Sequence, residues 1–216
     1  MRKVILIILF ISLNTILCFG QSAKMYRQSF NRFLELDSST IILIPIEWDN
    51  NAKVGDIKIQ GSNRTKNILF YDPTNDYQKF LFDEQMQIIE SYNGHLLNRR
   101  HARDTTKRPL NKEHIYYSVI NEDYNEDKKL DSDDPTYLYY SKFNGTELYL
   151  LTPKFYHLKN YKYIERSNII LATLVMDENG DKKFNNNDSE VLYKIDLNEL
   201  SESKIISKLK LKSESE

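Results

Sequence analysis

From residue 40 onward the chain is a succession of short segments rich in Ile, Val, Leu, Tyr and Phe, separated by clusters of Gly, Asn, Asp and Lys. The segments are "TIILIPIEW", "GDIKIQ", "NILFYD" and "QKFLF", then "QIIESY", "HIYYSVI", "TYLYYSKF" and "ELYLLT", then "NYKYIE", "NIILATLVM", "EVLYKIDL" and "KIISKLKL". Each has strand length and is bounded by turn formers such as "DNNAKVG" or "DPTND". The 15 Tyr and 10 Phe suit such strands, because aromatic rings pack well on a pleated surface. Three sets of four predict an all-β fold of antiparallel four-stranded units, over about 40–83, 86–153 and 157–212. One unit is too small to bury its own faces, so the units must stack, and a β-propeller-like arrangement is expected. Closed propellers usually hold ~4–8 blades. Three therefore predict a ring completed by a second copy, a partial propeller or a small sandwich. A short amphipathic helix is expected over 22–37, where Tyr26, Phe30, Phe33 and Leu34 fall at helical spacing.

The chain opens with "MRK", then the apolar run "VILIILFISLNTILC", then "CFGQS", the charged, apolar and small-residue order of a secretory signal peptide over 1–20. The apolar run is shorter than the ~20 residues of a spanning helix. The expectation is an exported protein, periplasmic or extracellular, with a single domain over 21–216 and no transmembrane segment in the mature chain. Acylation of Cys18 would instead make a lipoprotein, but Leu17 stands directly before it, where a small residue is usual. The chain has one cysteine, Cys18, so no internal disulfide can staple the fold. Removing Arg2 and Lys3 leaves 28 basic residues against 31 acidic ones, a net charge of −3. That balance excludes the basic footprint of a nucleic-acid binder.

Two stretches repeat one pattern. "DYNEDKKLDSDD", residues 123–134, lies between "IYYSVI" and "TYLYYSKF", and "DENGDKKFNNND", residues 177–188, lies between "NIILATLVM" and "EVLYKIDL". Counted from the first Asp, position 1 is Asp123 or Asp177, position 3 is Asn125 or Asn179, and position 5 is Asp127 or Asp181. Position 9 is Asp131 or Asn185, and position 12 is Asp134 or Asp188. A hard cation such as Ca2+ needs six to eight oxygens at ~2.3–2.6 Å, which these side chains and the carbonyl of position 7, Lys129 or Lys183, can supply. The apolar position 8, Leu130 or Phe184, would anchor each loop to the core. A solvated acidic turn needs the same Asp and Asn residues and binds nothing; the recurrence of all these positions favours the ion.

On these residues the loops resemble the calcium loops of EF-hands, and more closely those of bacterial dockerins, in which position 12 is Asp. The resemblance implies calcium and nothing of the dockerin's helical fold, since strands flank both loops here. Position 6, usually Gly where the chain turns sharply, is Lys128 or Lys182; Gly180 sits at position 4 of the second loop. The loops with their flanks, residues 67–200 and above all 114–197, also resemble exported bacterial proteins with propeller-like repeats. This implies a fold and an ion more than an activity.

No GxSxG elbow, mature cysteine nucleophile or glycine-rich phosphate loop is present. The expected function is therefore a calcium-binding module that holds a protein or glycan partner or serves structurally; the alternative is a polysaccharide-active enzyme with structural calcium. Arg99, Arg100, Arg103, Lys107 and Arg108 make 98–108 a solvated basic loop that an acidic partner could meet. His95, His101, His114 and His157 lack metal-site spacing. Trp48 with Tyr116, Tyr117, Tyr139 and Tyr140 reads as core packing before it reads as a sugar-stacking platform.

Overall fold

The computed structural model describes residues 29–30, 33–36, 39–48, 53–60, 64–83, 88–92 and 114–209. Among them the fold is all-β, sixteen strands interrupted by two single 3-10 turns at Glu165–Ser167 and Leu200–Glu202. None of the described helices is long and apolar enough to cross a membrane.

The strands form three successive antiparallel meanders. In the first, β1 (Ser29–Phe30) and β2 (Leu34–Glu35) both pair with β3 (Ile42–Glu47), which pairs with β6 (Thr65–Asp72), which pairs with β7 (Tyr77–Phe80). A hairpin of β4 (Lys53–Val54) and β5 (Ile57–Ile59) lies between β3 and β6. In the second, β8 (Ile88–Tyr92), β9 (His114–Ile120), β11 (Tyr137–Lys142) and β12 (Tyr149–Leu150) pair in order, with the two-residue β10 (Lys129–Leu130) between β9 and β11. One pair, Thr65 with Ile89, joins these two meanders into a single sheet. The third is a separate sheet of β13 (Tyr156–Ile164), β14 (Ile169–Met176), β15 (Ser189–Asp196) and β16 (Lys204–Leu209).

Packing follows from the alternation of side chains across each strand. Ile115, Tyr117 and Val119 of β9 enter one core with Leu43, Ile68 and Phe70. Tyr116, from the opposite face, enters a second core with Leu138 and with Ile170, Ala172 and Leu174 of β14, which holds the third meander against the second. Ile120, on that same face, enters a third core with Trp48, Ile59, Ile88 and Leu130. Strand β9 is thus covered on both faces, which is why "HIYYSVI" reads as a nearly unbroken apolar run.

Two expectations need correction. The helix over 22–37 is not formed where the chain is described: residues 29–30 and 34–35 are strands on β3, and 22–28 lie outside the described residues. Phe30 and Phe33, half of its intended apolar face, are 65% and 73% exposed. The open edge of β3 offers backbone partners that a short helix without a buried face cannot match. The segment "GDIKIQ" is not a strand of the first meander; β5 leaves it and pairs with β10. Trp48, Tyr116 and Tyr117 are buried in the cores, the packing expected of them, while Tyr139 and Tyr140 are half-buried.

The hairpins closing the first two meanders are built alike. Asp72 accepts hydrogen bonds from the N–H and hydroxyl of Thr74, and Asn144 accepts the same pair from Thr146. In the second hairpin Gly145 has φ +77°, and an added Cβ would lie 2.4 Å from the ring of Phe70, itself fully buried. A left-handed residue with a Cβ costs about 1–2 kcal/mol, and overpacking a core a further 1–3 or so. Gly145→Ala should therefore lower stability by about 2–5 kcal/mol in urea unfolding, and a variant as stable as the parent would refute this close approach.

Candidate metal centre

The two acidic loops occupy the same place in successive meanders, joining β9 to β11 and β14 to β15. Strands that run side by side leave their linking loop to turn back over one edge, so each loop must find partners for its own backbone N–H groups. Asp and Asn supply them, and both loops do so in one pattern. Position 1 accepts from the N–H of position 6: Asp123 from Lys128 and Asp177 from Lys182, both at 3.0 Å. Position 3 accepts from position 5, at 2.9 Å for Asn125 and 2.8 Å for Asn179. Position 5 accepts from position 7, with Asp127 to Lys129 at 2.8 Å and Asp181 to Lys183 at 3.0 Å. Position 9 accepts from position 11, as Asp131 and Asn185 show.

Position 12 closes each loop. Asp134 accepts from the N–H groups of Tyr124 and Asp131, and Asp188 from those of Glu178 and Asn185. Both carboxylates are buried, 0% and 3% exposed. Burial pushes the Asp134 carboxyl up to about 6, against the three N–H groups of Asp131, Tyr124 and Asn125 that favour its charge; the nearby Asp123 adds to the rise.

The backbone turns sharply at positions 4 and 6 in both loops. Glu126 and Lys128 have φ of 61° and 65°, and Gly180 and Lys182 of 72° and 60°. The lysines at position 6 thus take the left-handed conformation that glycine usually supplies, at about 1–2 kcal/mol each. Gly180 spares the second loop one such residue, whereas the first carries two. The first is more firmly seated in return. Leu130 is fully buried in the core beside Trp48, and β10 runs parallel to β5, with the Lys128 and Leu130 carbonyls accepting from Lys58 and Gln60 at 2.8 and 3.1 Å. Alternate carbonyls of an extended strand face opposite ways, which turns the Lys129 carbonyl away from β5. Phe184 of the second loop is half-buried, its ring 5.4 Å from those of Tyr124 and His157.

The structure therefore brings Asp123, Asn125, Asp127, Asp131 and Asp134 into one loop framework and Asp177, Asn179, Asp181, Asn185 and Asp188 into another. Every donor is oxygen, the chemistry a hard cation takes. Asp123 Oδ1 is buried with no hydrogen-bond partner, an acceptor the loop itself leaves unsatisfied. Asp127 is shared with the Lys129 ammonium, which holds its carboxyl below the usual range, so an incoming cation competes for it. Among the described residues no three His, Cys, Asp or Glu side chains converge as a ready-made metal cage. The first loop holds six acids against two lysines, net −4, and the second four against two, net −2.

Sequence reasoning missed how the loops meet. The Tyr124 hydroxyl donates to Asp177 at 3.0 Å, and Lys182 Nζ lies 2.7 Å from Glu126. The sign available in the sequence was the break in the repeat at position 2, Tyr in one loop and Glu in the other. Between the loops lies a cleft of about 640 Å³ whose walls include Asp127, Asp133, Asp181, His157 and Phe184. His157 Nδ1 accepts from the Thr136 N–H, and its ring stacks on Phe184. His95, His101 and the basic loop 98–108 lie outside the described residues. The chain matches no family model, and comparison with the curated proteins and with the solved structures found no match.

Proposed function

We propose that this protein is an exported β-repeat module, with propeller-like stacking of its meanders, that binds calcium at 123–134 and 177–188 and uses it to rigidify one end of the fold. The reading rests above all on the two loops sharing one hydrogen-bond plan and one pair of left-handed turns. An acidic turn needs no second copy of that plan, whereas a loop that must aim positions 1, 3, 5, 7, 9 and 12 at a common centre does. The ion would be held by the side chains of Asp123, Asn125, Asp127, Asp131 and Asp134 with the Lys129 carbonyl, and by Asp177, Asn179, Asp181, Asn185 and Asp188 with the Lys183 carbonyl. Bound there, it would neutralise carboxylates whose burial is otherwise unfavourable. Titration calorimetry on metal-free protein should show two ions taken up, and Asp123→Ala and Asp177→Ala should each remove one. No uptake at millimolar calcium would overturn the assignment.

Export is supported by the order of residues 1–20. Mass spectrometry of protein recovered from its native host should find Gln21 first, and an intact Met1 would contradict it.

The raised Asp134 carboxyl makes stability depend on pH with a definite sign. The unfolded chain releases this proton near pH 3.8 and the folded one near 6. Between those values the folded state holds more protons, so stability falls as pH rises, by at most about 3 kcal/mol once pH 6 is passed. In chelator, Asp134→Asn should lose this decline and so gain on the parent as pH rises from 4 to 6. An unchanged difference between the two proteins across that window would sink the assignment. Because the ion needs the ionised carboxylate, calcium uptake by the first loop should also weaken below about pH 6.

A further inference from the structure

Tyr124 is joined to both loops through different atoms. Its backbone N–H donates to Oδ1 of Asp134, position 12 of the first loop, at 2.9 Å. Its hydroxyl donates to Oδ2 of Asp177, position 1 of the second, at 3.0 Å. That same Oδ2 accepts from the Lys182 N–H, and Asp177 Oδ1 accepts from Gly180, so the hydroxyl enters the set of bonds that shapes the second loop's sharp turn. The Tyr124 ring packs on Phe184, position 8 of the second loop, and on Phe155 at 6.1 Å. The first loop is seated on β5 and in the core, while the second finds in Tyr124 and His157 the aromatic neighbours of its apolar anchor.

We infer that Tyr124 is a positioning residue that couples the two loops, so that filling the first loop raises the affinity of the second. The inference rests on reading both loops as calcium sites. Fixing Asp134 around an ion fixes the Tyr124 backbone, and with it the hydroxyl that orients Asp177. The second ion then finds part of its ordering cost already met, which is positive cooperativity without a change of fold. The Glu126–Lys182 pair links the loops as well, but it is exposed and adds little. Repulsion between the two ions opposes the coupling and is weakened by screening and by the acids around each site.

Coupling of this kind is typically about 5- to 150-fold in affinity. Calcium titration of the full mature chain should show the second ion bound more tightly than the first, within that range. Tyr124→Phe keeps the ring against Phe184 and removes only the hydroxyl; it should still bind two ions, with the two affinities now independent. A merely structural role would lower the melting temperature and leave cooperativity intact. A second readout needs no ion: in chelator, Tyr124→Phe and Asp177→Asn should destabilise less together than the sum of each alone. Independent binding in the parent, cooperativity retained in Tyr124→Phe, or strict additivity of the two substitutions would each overturn the coupling. Absence of any calcium uptake would instead overturn the proposed function, and the two failures are thereby told apart.

Discussion

Calcium at a hundredfold excess over its Kd is expected to raise the unfolding free energy by about 2.7 kcal/mol for each loop filled, because the ion binds the folded state alone. For a chain of this size that corresponds to a rise in melting temperature of about 5–11 °C per ion. The effect should be large because no internal disulfide is available and because the ion answers specific deficits: a buried acceptor at Asp123 Oδ1, and a buried carboxyl at Asp134. Asp123→Ala and Asp177→Ala should each remove at least half of the rise, the excess over half being the coupling lost with the first ion. Magnesium should give less of it, since it demands near-ideal octahedral geometry that a flexible twelve-residue loop does not present. Scanning calorimetry in chelator and in calcium measures the shift directly. Equal melting temperatures in both would mean that the loops are self-satisfied turns, held by their own Asp and Asn side chains.

Leu130→Ala should cost about 2–5 kcal/mol, the range for emptying a fully buried leucine site. Its side chain fills the core between Trp48, Ile59, Ile88 and Ile120, and its carbonyl holds β5 through Gln60. The same position in the second loop, Phe184, is only half-buried, beside the rings of Tyr124 and His157, and belongs to none of the three cores, so Phe184→Ala should cost less than half as much in spite of its larger side chain. Urea unfolding of the two variants checks the order. If Phe184→Ala proved the more damaging, the first loop would not be the firmly seated one. Leu130→Ala should also weaken calcium uptake by the first loop, because the Lys129 carbonyl is aimed by the β10–β5 pairing that Leu130 secures.

Strand segments were legible wherever a segment carried its own burial pattern. "NIILATLVM" is an apolar run of strand length and is β14, with Ile170, Ala172 and Leu174 inward. The loop positions were legible for a similar local reason: each Asp or Asn bonds an N–H two to five residues ahead, or ten behind at position 12, so spacing alone encodes most of the contacts. The helix over 22–37 was misread because its spacing described a face of which Phe30 and Phe33 stay exposed, while β3 offered an open edge. Strand β10 was invisible, since two residues inside an acidic loop carry no periodicity.

By itself, then, the sequence determined the all-β class, the four strands of the second and third meanders, and the two loops with their oxygen donors, because these follow from side-chain alternation and near-neighbour bonding. Tertiary structure alone decided which loop is anchored in a core and which leans on its neighbour, that β5 leaves the first meander to pair with β10, and that Tyr124 reaches Asp177 fifty-three residues away. Those contacts join groups far apart in the chain, and their partners are set by how the meanders stack. No local period records that.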